Sequence, residues 1–286
     1  MSSPLAPPGA DATVANPATG MSYRLGRQIG AGAFGVAHEC EDRFGEHLVA
    51  KIIKPRGVTS SELRAEWERE VQLMQLLRHP YVVHITDAFE HDGRYYLIME
   101  RADYSLHELV DHRGGLTADE VIETGRQLLS ALHSIHLRQV VHRDLHVDNI
   151  LMGRAYGRYV VKVTDFGISK LVDEEESRKA YTDVGRSYYV APELVRFQYT
   201  TIQSDIYQLG LVLYHAYTGS PAITVADGEV SQAILSGVAR QRAEAIGDPV
   251  GQWISVMLRR REEYRFHSAL DAWLAWKSPQ PNPSPG

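Results

Sequence analysis

The sequence of 286 residues has a single cysteine, Cys40, and it lacks internal repeats, a basic excess and any long apolar run. One cysteine excludes an intramolecular disulfide and a cysteine-based zinc cluster, and it suits a reducing cytoplasm, where we expect the protein to work. No stretch is apolar enough to span a bilayer and no secretory leader is visible, so we predict no membrane association. A net charge of −6 is not the basic footprint of a nucleic-acid binder, and we expect no nucleic-acid partner.

The two ends of the chain have few large apolar side chains. Residues 1–20 are rich in Ala, Pro, Thr and Gly, and residues 278–286 form a proline-rich tail. Such segments cannot bury enough apolar surface to offset the entropy lost on folding, so we predict that both are disordered. Their composition would suit a bacterial protein. The remaining residues, 21–277, are enough for one bilobal domain with a sizeable core.

The pattern between Tyr23 and Met99 is mainly strand-like. Alternating or β-branched runs predict strands over residues 23–29, 36–40, 47–53, 81–89 and 94–99. One amphipathic helix interrupts them, opened by a Thr-Ser-Ser-Glu capping box at residues 59–62. We therefore predict a β-rich first lobe over residues 21–99, joined to the rest through Glu100 and Arg101.

The pattern after the joint is helical. A second capping box, from Thr117 to Glu120, opens a long amphipathic helix, and residues 205–218 are apolar nearly all round, as in a buried central helix. Two closing helices are predicted over residues 253–258 and 266–276. The expected fold is therefore α+β, with a helical second lobe over residues 102–277.

A glycine-rich turn follows the first predicted strand and reads Gly30-Ala-Gly32-Ala-Phe-Gly35-Val36 after Ile29. Glycines let backbone N–H groups approach phosphate oxygens with no side chain in the way. Dinucleotide-binding folds share this spacing, but a helix follows their glycines and an acidic residue binds the ribose. Here a strand follows and no acid is so placed, which favours a cover for nucleotide phosphates.

The central stretch carries two further motifs. It reads His142-Arg143-Asp144, continues to Asn149, and ends after a predicted strand over residues 159–164 in Asp165-Phe-Gly. Either tripeptide alone could arise by chance. Together, in this order and with this spacing, they resemble the eukaryotic-type protein kinase family, as do Val-Ala-Lys51 on the third strand and the Ala-Pro-Glu motif that ends at Glu193.

The resemblance extends from Tyr23 to about Trp276 and implies a protein kinase that uses ATP and Mg²⁺. It implies that Asp144 accepts the proton of the substrate hydroxyl and that Asn149 and Asp165 hold magnesium. Further contacts to the nucleotide are expected from residues that cover its phosphates or enclose its base: Ile29, Gly30, Gly32, Gly35, Val36, Ala50, Lys51, Met99, Glu100, Ala102, Leu151 and Asp165.

Charged partners follow from the same resemblance. Lys51 is expected to pair with a glutamate of the next helix; Glu66 and Glu70 compete, and we predict Glu70 because Glu66 lies nearer the open end of the helix. A buried ion pair is expected between Glu193 and Arg265, and Asp205 is expected to hold the backbone of the catalytic loop. Thr182 lies where the family is phosphorylated, and Arg143 would bind that phosphate.

The chain departs from the family at two positions. Members directed to Ser or Thr carry Lys where this chain has His146 and Thr where it has Arg186. We predict that Arg186 supplies the fixed positive charge while His146 stays mostly neutral; the alternative is that Arg186 faces solvent or binds substrate. Hydroxyl specificity still favours Ser/Thr over Tyr.

Three functions from different classes fit the pattern. An active kinase acting on protein substrates, with phosphorylation between copies of the chain, is favoured because Lys51, Asp144 and Asp165 are all present. A catalytically impaired kinase-fold scaffold would rest on His146 and Arg186 alone. A small-molecule phosphotransferase is disfavoured by the complete Ala-Pro-Glu segment, where peptide substrates dock.

Overall fold

The structure is a computed structural model that describes residues 11–31, 35–53, 60–155, 157–165 and 186–277. The chain divides into two compact units, with the change from one to the other between Arg101 and Ala102. Residues 80–82 belong to the second unit although they precede the end of the first. In the described part of the chain no helix has the length and apolar character needed to cross a membrane.

In its described residues the first unit is a six-stranded antiparallel sheet with one helix. The strand order is β1-β2-β3-β4-β6-β5. The elements are β1 (Thr13–Ala15), β2 (Ser22–Ala31), β3 (Gly35–Asp42), β4 (His47–Ile53), α1 (Ser60–Leu76), β5 (Ile85–His91) and β6 (Arg94–Glu100). Helix α1 packs against β5 and β6, and the indole Nε1 of Trp67 donates to the carbonyl of Tyr96 at 3.3 Å. The predicted strand over residues 81–89 begins late, because Val82 instead bridges to Val163 in the second unit.

The prediction that residues 1–20 are disordered is wrong for residues 11–20. Strand β1 pairs antiparallel with β2, and Val14 is buried in the core of the first unit. The buried Asn16 donates from Nδ2 to Asp87 Oδ1 at 2.8 Å, and the Tyr23 hydroxyl donates to Asp87 Oδ2 at 2.8 Å. Composition missed this segment because its order depends on polar partners far along the chain. Residues 1–10 and 278–286 lie outside the described residues.

The carboxylate of Asp87 therefore attaches the N-terminal segment to the sheet, and its loss should be measurable. Asp87→Ala would leave the Tyr23 hydroxyl and the Asn16 amide without this acceptor, at about 1–3 kcal/mol of unfolding free energy for each buried group. Urea denaturation checks this, with Glu90→Ala as the matched control, since Glu90 is exposed on the same strand. Equal stability of the two variants would contradict the assignment.

The second unit contains a small sheet and eight helices among its described residues. The strands are β7 (Tyr104–Ser105), β8 (Ile150–Ala155) and β9 (Arg158–Val163), in that order. The helices are α2 (Leu106–Arg113), α3 (Ala118–His136), α4 (Pro192–Phe197), α5 (Ile202–Thr218), α6 (Val230–Ser236), α7 (Val238–Ala245), α8 (Pro249–Met257) and α9 (Ala269–Lys277). Short 3₁₀ helices cover Val147–Asn149, Arg186–Tyr189, Val225–Asp227 and Glu262–Tyr264.

Helix α5 is the centre of the second unit. It packs against α3 and α8, and most of its side chains are buried, as its all-round apolar pattern predicts. A Cβ on Gly210 would lie 2.9 Å from the Cβ of Met257, so glycine lets α5 approach α8 closely. The helix ends at Gly219 in the left-handed conformation, with φ 76°. The predicted α+β fold with a β-rich first part and a helical second part is confirmed.

Candidate active site

The first unit holds the lysine expected to bind phosphate. Lys51 lies on β4, is 8% exposed, and its Nζ is 3.2 Å from Glu70 Oε1 on α1. The pairing predicted between these residues is therefore present, whereas the side chain of Glu66 lies outside the described residues. Because both side chains of the pair are mostly sheltered from water, their attraction is screened less than that of a surface pair.

The two glycines that flank the turn differ in the room that their surroundings leave for a side chain. A Cβ on Gly35 would lie 2.6 Å from the carbonyl oxygen of Ile52, so the close approach of β3 to β4 alone demands glycine. A Cβ on Gly30 would meet only the Ala37 Cβ, at an ordinary 3.7 Å. Packing within the unit therefore leaves Gly30 unexplained, which fits a position that must stay clear for a ligand. Gly32 lies outside the described residues.

The residues expected around the nucleotide base divide between the two units. In the first unit, Val36, Ala50 and Met99 are buried, while Ile29 is 45% exposed. Glu100 Oε1 accepts from the His84 backbone N–H at 2.7 Å, which fixes that side chain at the end of β6. In the second unit, Ala102 is half-buried, and half-buried Leu151 pairs with Ser105 between β8 and β7.

The candidate catalytic loop, residues 142–149 of the second unit, is held by a buried carboxylate. Asp205, in the first turn of α5, is fully buried and accepts from the backbone N–H groups of His142 at 2.8 Å and Arg143 at 2.9 Å. It also bonds to His136 Nε2 at 2.9 Å. The predicted role of Asp205 is therefore visible in its contacts, but His136 was missed because a histidine near a helix end carries no distinguishing pattern.

A second side chain of α5, that of Gln208, also holds the backbone of the loop. Gln208 Oε1 accepts from the Leu145 N–H, and its Nε2 donates to the Arg143 carbonyl, both at 3.2 Å. Gln208 lies three residues after Asp205, so the two reach the loop from one face of the helix. Asp144 lies between the two backbone positions that Gln208 holds and is 6% exposed.

His142 connects the two motifs of the second unit. Its Nδ1 accepts from the Asp144 N–H at 3.3 Å, and its Nε2 bonds to the carbonyl of Thr164 at 3.1 Å. Full burial lowers the pKa of His142, which keeps the ring neutral and fits one nitrogen accepting while the other donates. The backbone beside Asp144 is thereby tied to the residue that precedes Asp165.

The candidate magnesium ligands lie at one end of the β8–β9 hairpin. Ile150 pairs with Val163, so Asn149 and Thr164 are neighbours, and the Thr164 N–H donates to the Asn149 carbonyl at 3.1 Å. The Asn149 Nδ2 donates to the Asp144 carbonyl at 2.8 Å, which leaves its Oδ1 as the ligand atom. Carboxylate and amide oxygens are what Mg²⁺ binds, so Asn149 and Asp165 fit this ion.

Two of the predicted site residues have unusual backbone conformations. Arg143 has φ 71° and Asp165 has φ 55°, the left-handed region that residues with a Cβ seldom adopt. Such conformations cost about 1–3 kcal/mol each and persist where surrounding bonds impose them, most often at functional sites. For Arg143 the bond from its N–H to Asp205 is one such constraint.

His146 is buried, with 3% exposed, and its Nδ1 lies 3.2 Å from Asp148 Oδ2. The other oxygen of Asp148 is 2.7 Å from His107 Nδ1. Burial alone would raise the pKa of Asp148, but the bonds from both histidines outweigh it and hold that pKa well below its usual range. Asp148 and His107 were missed by sequence reasoning, although Asp148 stands beside Asn149 in the motif. The Arg186 side chain and Thr182 lie outside the described residues.

The ion pair predicted between Glu193 and Arg265 is also present. Arg265 is buried and donates from Nη1 and Nη2 to the two carboxylate oxygens of Glu193, both at 2.8 Å. Ser204 Oγ donates to the same carboxylate at 2.6 Å. Burial would raise the pKa of Glu193, but Arg265 and then Ser204 lower it overall. The ion pair thus attaches the Ala-Pro-Glu motif to the segment that carries Arg265.

Comparison with known proteins agrees with this arrangement. Residues 23–271 match the protein kinase domain family. The Lactococcus lactis protein named "Probable serine/threonine-protein kinase PknB" is 35% identical over 200 residues, which cover 69% of this chain and 31% of that protein. The chain spans between 15% and 40% of the length of the first curated relatives it matches.

Solved structures agree on the fold. The crystal structure of Rad53 in complex with AMP-PNP has a TM-score of 0.72 and 27% identity, covering 89% of this chain and 65% of that one. The PknI kinase domain of Mycobacterium tuberculosis, in a doubly mutated form, has a TM-score of 0.66 and 21% identity, covering 94% and 97%. The match over 23–271, and the motifs within it, show that this chain belongs to the protein kinase family.

Proposed function

We propose that this chain is an ATP- and Mg²⁺-dependent protein kinase that transfers the γ-phosphate to serine or threonine hydroxyls of other proteins. Family membership supports the reaction class, and the AMP-PNP held by the similar Rad53 structure supports ATP as the nucleotide. The named Ser/Thr kinases among its relatives support the hydroxyl preference. Protein substrates, including a second copy of this chain, are the proposed partners.

The observation that carries the proposal is the set of hydrogen bonds that holds the candidate catalytic loop of the second unit in place. Asp205, Gln208 and His142 hold the backbone on both sides of Asp144, while Asn149 and Asp165 stand at one hairpin end. A loop retained only as scaffold would not need this arrangement of a carboxylate and two ligand oxygens.

Each group then has one task. Asp144 orients the substrate hydroxyl and accepts its proton as the phosphoryl group is transferred. Lys51, held by Glu70, neutralises phosphate charge on the nucleotide. Asn149 and Asp165 would hold Mg²⁺, which when bound neutralises the negative charge that develops on the phosphate oxygens.

The direct test is incubation with labelled ATP and Mg²⁺, with a generic basic protein as acceptor, followed by mapping of the phosphorylated residues. Label on serine or threonine of the acceptor and on Thr182 of the chain is the expected result. Label on a small-molecule acceptor alone, or no transfer with intact nucleotide binding, would contradict the proposal. Arg143 is the proposed partner of a phosphate on Thr182.

Asp165→Asn should weaken Mg²⁺-dependent nucleotide binding by about tenfold or more, because it removes an anionic metal ligand. Titration of a fluorescent ATP analogue with and without Mg²⁺ measures this. Asp119→Asn, an exposed carboxylate on α3, is the matched control and should bind like the parent. Binding by Asp165→Asn that equals the parent in excess Mg²⁺ would show that the metal assignment is wrong.

We also propose that Arg186 provides the fixed positive charge that the family draws from the position of His146. His146→Lys alone should then reduce kcat by crowding two cations, and Arg186→Thr alone should reduce it by leaving none fixed. The double variant should recover much of the loss, since contacting positions couple by about 0.5–3 kcal/mol. Additive effects on kcat across the cycle would refute this arrangement.

A further inference from the structure

Three exposed aromatic side chains lie on two segments of the second unit that contact each other through Tyr199 and Glu262. Phe197 at the end of α4 is 64% exposed, Tyr199 is 44% exposed, and Tyr264 is 54% exposed. Together with Arg196 and Arg261 we call these five residues the aromatic patch. Clustered exposed apolar surface rimmed by polar groups usually marks an interaction site.

Internal contacts hold the patch in one shape. The rings of Phe197 and Tyr199 stack with centroids 5.9 Å apart. The Tyr199 hydroxyl donates to Glu262 at 2.5 Å, and the Thr201 hydroxyl donates to the other oxygen of Glu262 at 2.6 Å. The bond to Glu262 raises the pKa of Tyr199 to about 12. Side chains fixed before binding lose little entropy on contact with a partner.

The two arginines of the aromatic patch lie over its aromatic rings. The guanidinium of Arg196 lies 5.8 Å from the ring centre of Phe197, and that of Arg261 lies 5.9 Å from the ring centre of Tyr264. Among the described residues Arg196 makes no ion pair, and Arg261 is only within 3.9 Å of exposed Glu263. Aromatic rings with stacked arginines are the composition of binding hot spots.

Two more arginines add charge beside the patch. Arg259 donates to the carbonyl of Tyr264 at 2.7 Å and Arg260 donates to the carbonyl of Leu235 at 2.8 Å, so both are bonded to neutral groups. Residues 196–199 and 259–264 thus contain four arginines, at 196, 259, 260 and 261, but only two carboxylates, those of Glu262 and Glu263. The local excess is positive on a chain whose net charge is −6.

The two halves of the patch are joined through the core. Glu193, in the first turn of α4, and Arg265, directly after Tyr264, form the buried bidentate pair. The helix that carries Arg196 and the turn that carries Arg261 are thus fixed to each other.

We propose that the aromatic patch is a docking surface for an acidic segment of a partner protein that also bears an aromatic or aliphatic side chain. The acidic groups would bind Arg196 and Arg261, and the apolar side chain would pack on Phe197 and Tyr264. Nucleic acid fits less well, because Glu262 and Glu263 lie in the same segment as Arg261 and would repel its phosphates. An anionic membrane is disfavoured by the same two carboxylates.

The test is fluorescence anisotropy of the full chain with a labelled peptide of Asp and Glu residues around a central Trp and Leu. The matched control peptide has Asn and Gln in place of the acids. Saturable binding of the acidic peptide, at least about tenfold tighter than the neutral one, is the expected result. Equal binding of both peptides would overturn the proposal, as would binding of single-stranded RNA or phosphatidylserine vesicles without binding of the acidic peptide.

Charge reversal locates the site. Arg196→Glu and Arg261→Glu should each weaken acidic-peptide binding by about tenfold, and the double variant should instead bind a peptide with Lys in place of the acids. Arg240→Glu, on α7, is the control and should bind like the parent. Unchanged binding in the double variant, with an unchanged thermal midpoint, would overturn the assignment. Because the assay measures binding alone, it is independent of whether phosphate transfer is found.

Discussion

Asp144→Asn should lower kcat by about 10²–10⁴-fold while leaving ATP affinity nearly unchanged. Asn has almost the shape of Asp but cannot accept a proton from the substrate hydroxyl. The surrounding bonds should survive, because Asp205, Gln208 and His142 hold the loop through backbone atoms and not through the Asp144 carboxylate. Steady-state kinetics and nucleotide titration on the same preparation separate the two effects.

The control for this variant is Asp119→Asn, which removes one exposed carboxylate from the same unit without touching the loop. It should retain the parent kcat. Phosphate transfer by Asp144→Asn at a near-parent rate would remove Asp144 from its role. A loss of ATP affinity as large as the loss of kcat would show instead that the substitution had disturbed the nucleotide site.

Arg265→Met should destabilise the protein by about 3–5 kcal/mol, since it leaves the Glu193 carboxylate buried without its cation. Arg265 also donates to the carbonyls of Arg259 and Gln203 and lies 4.8 Å from the ring centre of Tyr207, so those contacts are lost as well. Urea denaturation of the variant and the parent measures the difference. Arg240→Met, which removes a half-buried arginine whose ion pair is with Glu244 on its own helix, should cost far less.

The pH dependence of that difference identifies its origin. Arg265 and Ser204 lower the pKa of Glu193 in the folded state, so the pair contributes stability above the ordinary pKa of a glutamate and loses it as pH falls through the lowered value. In Arg265→Met the buried carboxylate costs least when protonated. The gap between variant and parent should therefore narrow as the solution is acidified, whereas a gap constant with pH would indicate lost packing alone.

Much of the fold and of the candidate site could be predicted because it depends on the spacing of residues that are close together in the sequence. The strand over His47–Ile53 and the capping box from Thr117 to Glu120 follow short-range rules and appear as predicted. The pairing of Lys51 with Glu70 needed only the helical phase of two candidate glutamates. The motifs around Asp144 follow the order that is known for the kinase family, so recognising one motif located the others along the chain.

What could not be predicted depends on contacts between distant segments. The strand β8 was missed because its residues carry no clear alternation, yet its pairing with β9 is what brings Asn149 beside Thr164. His136 and Gln208 support the catalytic loop from two other helices, and no sequence spacing links them to it. The order of residues 11–20 depended on Asp87, which lies more than sixty residues away.

The N-terminal strand also has a consequence for solubility. Strand β1 covers the outer edge of β2, and the Asp11 and Leu25 backbone groups continue that pairing beyond it. An uncovered edge presents unpaired N–H and C=O groups that a strand of another molecule can bind, which is how sheet proteins begin to aggregate. A chain shortened to the boundary expected from composition, at residue 21, would expose that edge and would lose the Asn16 donor to Asp87, while the Tyr23 donor remains. Residues 11–20 thus protect the edge of β2 in the first unit, and we expect the protein to self-associate when they are removed.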